Sequence, residues 1–572
     1  MKKLIVGIIA GLATLACAKI STENASPTYR EAFFAEEELV GDFLIEAWPE
    51  RMLALDSGWI FMGKDSLPGI ERVLPEFGKG EKLDLPHRVS FPNHSLWYLK
   101  EVNLEKGILF IDGDDGVQLW MDGHRIPRAS AGEFFDVPSG KNSLLTIRVV
   151  NNAMAGGLRK VRWISEESFA DWQNQKKHSR DSILAVRKVQ LLVDSVQRAK
   201  LEKLTWVEKK QELEDFPVLM TDPVLMLGTD QTWFVRWVSE KSGEARIRIS
   251  DGEKLELNAI DGIFTLPLLE DSIRFELFQD KAFQGSFEFV RPEFGDQVKL
   301  ALWGDSQGGW ATFHQIARLV WEKQVDLSIG AGDLVNNGSE EYAYPRFLQK
   351  LSLMQTAQLP VPGNHDYDGF YDDLDPVLLR SYVFRRKEPH FGFQQVGPVG
   401  ILTLDPNENF PVSIPENSAQ RKMLEQVLNS DSWTQFPWKM IVLHQPPYSQ
   451  GWPGYHGEKN IRDLLDPYFH QGKIDLVVAG HTHDYERLTR EFSGNSVHFL
   501  IVGGAGGGLE PEGQDSNFPK MDRVIKKNHV AIAEVDKEGF KLQVFGITGE
   551  VLDEITFKNR KVKVVRGCLI NQ

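Results

Sequence analysis

From Val298 onward the chain alternates between short apolar runs and stretches in which apolar residues recur every three or four positions. VKLALWGD is followed by ATFHQIARLVWEKQ, then VDLSIGAGD, a helical stretch around FLQKLSLM, LPVPGNHD and GILTLDP. The alternation continues through a helix from Ser418 to Leu428, WKMIVLHQPP, a helix around IRDLLDPYF, and IDLVVAGHTHDYER. Apolar runs without polar alternation are strands buried on both faces, and the helical stretches between them supply the cover. The pattern predicts an α/β domain over 298–560, completed by paired strands in HVAIAEVDKEGFKLQVFGITGEVLDEITF.

The grammar upstream is different. Residues 31–162 hold ILFIDG, VQLWMDG and LLTIRVV separated by Gly, Asp and Pro turns, which predicts a β-sandwich. Residues 163–215 turn polar, with Ile183, Val186, Val189, Leu192 and Val193 at helical spacing, and read as a helical linker. From 221 to 295, DQTWFVRWVSE, GEARIRISDG and FTLPLLEDSIRFELFQD predict a second, smaller β-sandwich. The fold class is therefore multidomain, and 572 residues agree with three or four units.

The first stretch, MKKLIVGIIAGLATLACAKI, places two lysines before an apolar run from Leu4 to Ala16. That run is too short to cross a bilayer and reads as a secretory signal over 1–18. Ala16 and Ala18 offer an ordinary cleavage site, whereas Thr14-Leu15-Ala16-Cys17 resembles an imperfect lipobox that would leave Cys17 lipidated. The expectation is an exported protein, periplasmic, extracellular or lipid-anchored in a bacterial envelope, touching membrane only through such an anchor. The second cysteine, Cys568, has no partner once Cys17 is removed or modified, so disulfides do not carry the fold. The formal charge is −16, which argues against general nucleic-acid binding while leaving small phosphorylated substrates open.

The polar residues that carry chemistry fall just past the apolar runs, where open α/β sheets place their ligands. Asp305 and Gln307 follow the first run and Asp333 follows LSIGA. Asn364, His365 and Asp366 follow LPVPG, His444 ends KMIVLH, and His481 and His483 close the series. One aspartate beyond a strand commonly caps a turn, but two of them with Asn and His partners point to metal. His365 faces substrate in this reading, with Asp366 placed to orient it.

These strings, D-x-Q, GD, GNHD, a strand-ending His and GHTH, resemble the motifs of the calcineurin-like metallophosphoesterases. GHTHDYER, LHQPPY and IVGGAGGGLEPEG resemble the purple acid phosphatase branch in particular, as does a fibronectin type III-like domain at 221–295 ahead of the catalytic one. LDLPHRVSFPNHSLWYLKEVNL, GVQLWMDGHRI and LLTIRVVNN resemble the galactose-binding-like jelly-roll domains of glycoside hydrolases. The resemblance implies a four-layer α/β sandwich and hydrolysis of phosphate monoesters by a bridging hydroxide at a dinuclear site. Two divalent or mixed-valence ions from Fe, Mn or Zn are implied. Asp305, Gln307, Asp333 and His483 match the ligands of one ion, and Asp333, Asn364, His444 and His481 those of the other. His365 and Asp366 match the catalytic pair, and His456 stands near a substrate histidine of relatives. Tyr485, Glu486 and Arg487 read as support behind the ligands.

Two positions depart from that pattern. Asn336 stands where purple acid phosphatases carry a tyrosine, so no charge-transfer colour is expected, and Gln307 replaces the broader family's histidine. Phosphodiester hydrolysis stays open, as does a non-catalytic envelope or carbohydrate-binding protein with a degenerate metal site. The expected partners are a phosphorylated small molecule or glycan, with carbohydrate contact through the N-terminal sandwich an additional option. Trp97, Tyr98 and Trp120 there are read as core or interface in preference to a sugar platform.

Overall fold

The computed structural model describes residues 48–66, 74, 76–128, 134–152, 156–191, 203, 219–239, 244–249, 254–279, 282–340, 342–369, 375–385, 388–511 and 520–559, without the side chains of 179–191 and 282. The leader at 1–18, both of its processing alternatives and most of 192–215 lie outside the described residues. No helix among the described residues is long and apolar enough to cross a membrane.

The C-terminal region is built on two sheets. One has nine strands, with Ala357–Val361, Leu327–Ala331 and Gln297–Trp303 side by side, then His529–Asp536, Gly539–Gly546 and Val551–Lys558. The other has seven, with Val399–Thr403, Trp438–Val442, Leu476–Ala479 and Asn495–Val502 parallel in its middle. Burial explains why these strands read as unbroken apolar runs. Val298, Leu300 and Leu302 pack between the sheets against Val399, Met440 and Val478, while Ala301 and Trp303 on the opposite pleat meet Phe313 and Ile316. Leu402, Ile441 and Val477 of the second sheet likewise turn outward onto Leu424, Ile461 and Leu465. The order is helix, sheet, sheet, helix.

The helices follow their sequence signals. Trp310–Lys323 buries Phe313, Ile316, Ala317 and Val320, an apolar stripe at three- and four-residue spacing. Ser418 caps Ala419–Leu428 by accepting from the Arg421 N–H at 3.0 Å, which satisfies one orphan donor of the first turn.

The strands from 224 to 290 form sheets of three and four, sharing Trp237, Phe264, Phe275, Phe287 and Phe289 as core. The smaller sheet is not set apart from the C-terminal region. Val224–Leu227 pairs in parallel with Ala357–Val361 at Met226 and Gln358, so Val224–Leu227, Trp233–Val238 and Ile263–Pro267 extend the nine-stranded sheet. An otherwise open edge is thereby covered.

The N-terminal region has sheets of six and four strands, with Trp59, Leu96, Tyr98, Leu109 and Ile147 among the residues packed between them. Tyr98 and Trp120 are fully buried and Trp97 is 2% exposed, so none offers a flat surface to a sugar. Trp97 stands beside Trp120 and under Arg148, whose guanidinium is 5.9 Å from the ring of Phe410 in the C-terminal region. That face of the sandwich is thus a docking face. Helix Glu166–Leu191 follows, with Phe169 and Trp172 against Phe110.

Candidate metal centre

Five parallel strands deliver the site. Asp305 lies two residues beyond Gln297–Trp303, Asp333 two beyond Leu327–Ala331, His444 two beyond Trp438–Val442, His481 two beyond Leu476–Ala479, and Asn364 three beyond Ala357–Val361. At those strand ends Asp305, Gln307, Asp333 and His481 have φ of 61°, 37°, 51° and 75°. Left-handed backbone in a residue with a side chain costs about 1–3 kcal/mol and persists where surrounding contacts enforce it, often at functional sites. Here the turns are laced together. The Asp305 N–H donates to Gly332 O at 2.9 Å, Gln307 N–H to Asp333 O at 3.2 Å, and His481 N–H to both oxygens of Asp305 at 3.0 Å. Gly332 (φ 90°) admits no larger residue, because a Cβ there would lie 2.4 Å from His444 Nδ1.

The side chains converge as two groups that share Asp333. Ligand atoms of Asp333, His444 and His481 lie within 4.8 Å of one another, as do those of Asp305, Asp333 and His483. His444 Nε2 is 3.1 Å from Asp333 Oδ1, and His483 Nε2 is 3.6 Å from Asp305 Oδ1. Asn364 Oδ1 joins the first group, 3.1 Å from His481 Nδ1. His444 Nδ1 donates to Ala331 O at 2.8 Å and His483 Nδ1 to Gly508 O at 2.6 Å, so each ring turns its other nitrogen inward. The buried Nε2 of His481 has no hydrogen-bond partner, and that of His444 faces the Asp333 carboxylate. An unpaired buried nitrogen is costly, and a metal ion is the partner this donor set fits.

Electrostatics agree. Burial alone would lift the Asp333 carboxyl, but His444 and His365 beside it hold it well below the usual range. Burial opposes a proton on His444, yet Asp333 and Asp305 outweigh it and hold the imidazole up at about 9. Burial, then the charge of His444, pushes His481 well below its ordinary value, and burial lowers His483. A proton on His444 thus stands where a cation would stand, and metal binding must displace it.

His365 is the exposed member, at 28%. Its Nδ1 faces Asp368 Oδ2 at 2.7 Å and Asn336 O at 3.0 Å, and its Nε2 is 4.0 Å from Asp333 Oδ2. Burial resists its charge, but Asp368 and Asp333 hold its pKa well above the ordinary value. The expected role of Asp366 is corrected here. Asp366 accepts from the N–H groups of Gly363 and Leu334 and from Tyr344 Oη, because the short helix His365–Tyr367 turns its carboxylate inward. The residue behind His365 is Asp368, one helical step later.

Gln307 Nε2 lies 2.6 Å from Asp333 Oδ2, so this carboxamide presents its nitrogen to the shared carboxylate. Exchange of its two ends would present oxygen instead. A Cβ on Gly507 would fall 3.0 Å from Gln307 Oε1 and 2.9 Å from the His483 ring, which accounts for a glycine in that run. Trp452 and Tyr455 have ring centroids 6.2 and 5.4 Å from His481 and wall the centre, whereas Tyr448 packs into the core on Phe499. His456 is partly exposed in the same loop, accepts from Arg462 through its backbone oxygen, and belongs to neither metal group.

Glu486 accepts from Ser449 Oγ and from the N–H groups of Gln450 and Gly451, tying the loop after His444 to the GHTH turn. Tyr485 and Arg487 both reach Asp553 at 2.9 Å and brace the sheet. His390 is buried against Asp405 and Tyr367, while His470 and His498 bond to Ser493 and Thr489.

Three contributors were not singled out from sequence. Asp368 stands in the GNHDYD string and Gln445 directly follows His444, so both had a local signal. Asp115, whose Oδ1 is 3.1 Å from Asn364 Nδ2, comes from the N-terminal sandwich and had none.

Comparison with known proteins points the same way. The family model described as calcineurin-like phosphoesterase matches residues 298–485. Purple acid phosphatase 21 of Arabidopsis thaliana is 25% identical over 214 residues, covering 35% of this chain and 47% of the relative. Purple acid phosphatase 5 of the same plant is 33% identical over 242 residues, 41% of this chain and 54% of the relative. The chain thus spans about half the length of these curated relatives. The solved purple acid phosphatase PPD1 from yellow lupin superposes with a TM-score of 0.49 at 12% identity, over 81% of this chain and 92% of that one. Motifs, converging strand ends and matched segment agree: the chain carries a calcineurin-like metallophosphoesterase domain related at low identity to the purple acid phosphatases.

Proposed function

We propose that this protein hydrolyses phosphate monoesters at a dinuclear metal site held by Asp305, Gln307, Asp333, Asn364, His444, His481 and His483. The observation that carries the proposal is the membership of Asp333 in both ligand groups, with His444 Nε2 3.1 Å from its carboxylate and a ring nitrogen of His481 buried and unpaired. Imidazole and carboxylate donors suit iron, manganese or zinc. Ions bound there would acidify a water molecule and offset the charge of the phosphoryl oxygens.

The chain's own groups supply the rest. Asp368 holds His365 through Nδ1, so the opposite nitrogen points toward Asp333 and carries a proton to the departing alkoxide. Trp452 and Tyr455 keep water from one side and give the alcohol portion of the substrate an aromatic wall. The strained turns at Asp305, Asp333 and His481 fix the ligands before substrate arrives.

The test is hydrolysis of p-nitrophenyl phosphate and bis-p-nitrophenyl phosphate by metal-stripped protein with Mn, Zn or Fe restored separately. Faster metal-dependent release from the monoester supports the proposal. Preference for the diester would replace it by phosphodiesterase chemistry, and no turnover despite two bound ions would leave a non-catalytic metal protein.

A further inference from the structure

Among the described residues, Asp115 carries the N-terminal sandwich into the centre. Strands Gly107–Asp112 and Gly116–Met121 belong to different sheets of that sandwich, and the turn 113–115 joins them. Arg159 grips this turn at three atoms, with Nε to Asp112 Oδ1 at 2.7 Å, Nη2 to Gly113 O at 2.9 Å and Nη1 to Asp114 Oδ1 at 3.2 Å. Asp115 is 4% exposed. Its Oδ2 accepts the Asn152 N–H, its own N–H donates to Val150 O at 3.2 Å, and its Oδ1 lies 3.1 Å from Asn364 Nδ2.

A carboxamide has one end that can serve a cation and one that cannot. Asn364 serves a cation only when its oxygen faces His481, as it does here, and that orientation calls for an acceptor at its nitrogen end. Among the described residues Asp115 is a carboxylate at that end, acceptor-only when ionised, so it selects one of the two amide orientations. Gln445 reinforces the choice from the other side by donating to Asn364 Oδ1 at 3.3 Å.

Building on the proposed dinuclear site, we propose that Asp115 is a positioning residue of the metal centre, so that the N-terminal sandwich is a working part of the catalytic unit. Docking elsewhere holds it in register. Asn93 Oδ1 accepts from the Val412 N–H at 2.7 Å, and Val150 packs in the same apolar cluster as Tyr367 and Phe410.

The experiment is calorimetric titration of metal-free full-length protein with Mn(II) and Zn(II), with melting of the metal-free variants alongside. Asp115→Ala and Asp115→Asn are each expected to weaken one of two binding events by about 10- to 100-fold, the usual cost of losing a partner behind a ligand, without moving the other. Asn364→Asp alone sets two carboxylates against each other and weakens the same event. The double variant Asp115→Asn with Asn364→Asp reverses donor and acceptor, keeps the Asn152 contact, and is expected to regain most of the affinity. That recovery separates positioning from a merely structural role, including the case in which Asp115→Ala does not fold. Unchanged affinity in both Asp115 variants, or a double variant no better than Asn364→Asp, overturns the positioning role and leaves the phosphoesterase reading standing. Wild-type protein that binds neither ion overturns that reading and this one with it.

Discussion

The ligands and the rim around them are built in opposite ways. The candidate ligands sit two to four residues beyond buried strands, and Asp305, Gln307, Asp333 and His481 occupy left-handed backbone. The rim residues Asp115, Asp368, Glu458 and Tyr455 have no such backbone signature and are held by side-chain hydrogen bonds, Asp115 to Asn364 across 249 residues and the others to partners three residues away. Strain is tolerated where position decides the chemistry, whereas the rim adjusts, supports and excludes. Damage to the ligands should therefore abolish turnover, and damage to the rim should attenuate it.

The comparison is tested most severely at Asp333. Asp333→Asn removes the charge shared by both ligand groups, so it is expected to lose bound metal and to reduce kcat/KM by at least about 1,000-fold, roughly 4 kcal/mol of transition-state stabilisation. Metal content by elemental analysis and turnover check it together, and retention of both ions with near-normal rate would remove Asp333 from the centre. His365→Ala comes next. It spares the ligand groups but removes the proposed proton donor, with an expected loss of about 100- to 10,000-fold in kcat and unchanged metal content.

Asp368→Asn is a rim change with a smaller expected effect, about tenfold in kcat. It also has a signature in pH. In the proposed mechanism His365 acts protonated, and Asp368 raises its pKa, so activity is expected to be lost as pH rises through that pKa. Without Asp368 the pKa falls, and the basic limb of the kcat profile moves to lower pH. An unmoved limb would assign it to another group. The parallel variant Asp366→Asn is expected to act through folding, since Asp366 holds the N–H groups of Gly363 and Leu334 and not His365.

The same contrast explains what the sequence made legible. Strands buried on both faces leave long Val, Ile and Leu runs, so the α/β grammar and the residues just past each run could be read directly. The choice between Asp366 and Asp368 could not, because both follow His365 closely and only the tight turn at His365–Tyr367 decides which carboxylate returns to the ring. Asp115 was out of reach for another reason. Its partner lies 249 residues away, and IDGDDG reads like any other strand-connecting turn. The pairing of Met226 with Gln358, which merges sheets expected to be separate, is long-range in the same sense.

Glu458 is the rim residue expected to change turnover least and stability most distinctly. It lies beneath the aromatic wall, with Tyr455 Oη 3.5 Å from one carboxylate oxygen and Asn93 Nδ2 of the N-terminal sandwich 3.4 Å from the other. Burial raises its pKa from 4.5 to about 7, so the folded protein favours the neutral acid. Stability from this preference is fully present below the ordinary pKa and is lost as pH rises through about 7. A separation of that size corresponds to about 3 kcal/mol. Glu458→Gln imitates the neutral acid at every pH. It should match wild type in urea unfolding at pH 4.5, exceed it by about 3 kcal/mol at pH 8.5, and keep kcat within about twofold because Gln still accepts from Tyr455. A variant no more stable at pH 8.5 than at pH 4.5, relative to wild type, would mean that Glu458 is ionised beneath the wall. The junction between sandwich and catalytic loop would then be an ionic contact, and the rim would share the ligands' dependence on fixed charge.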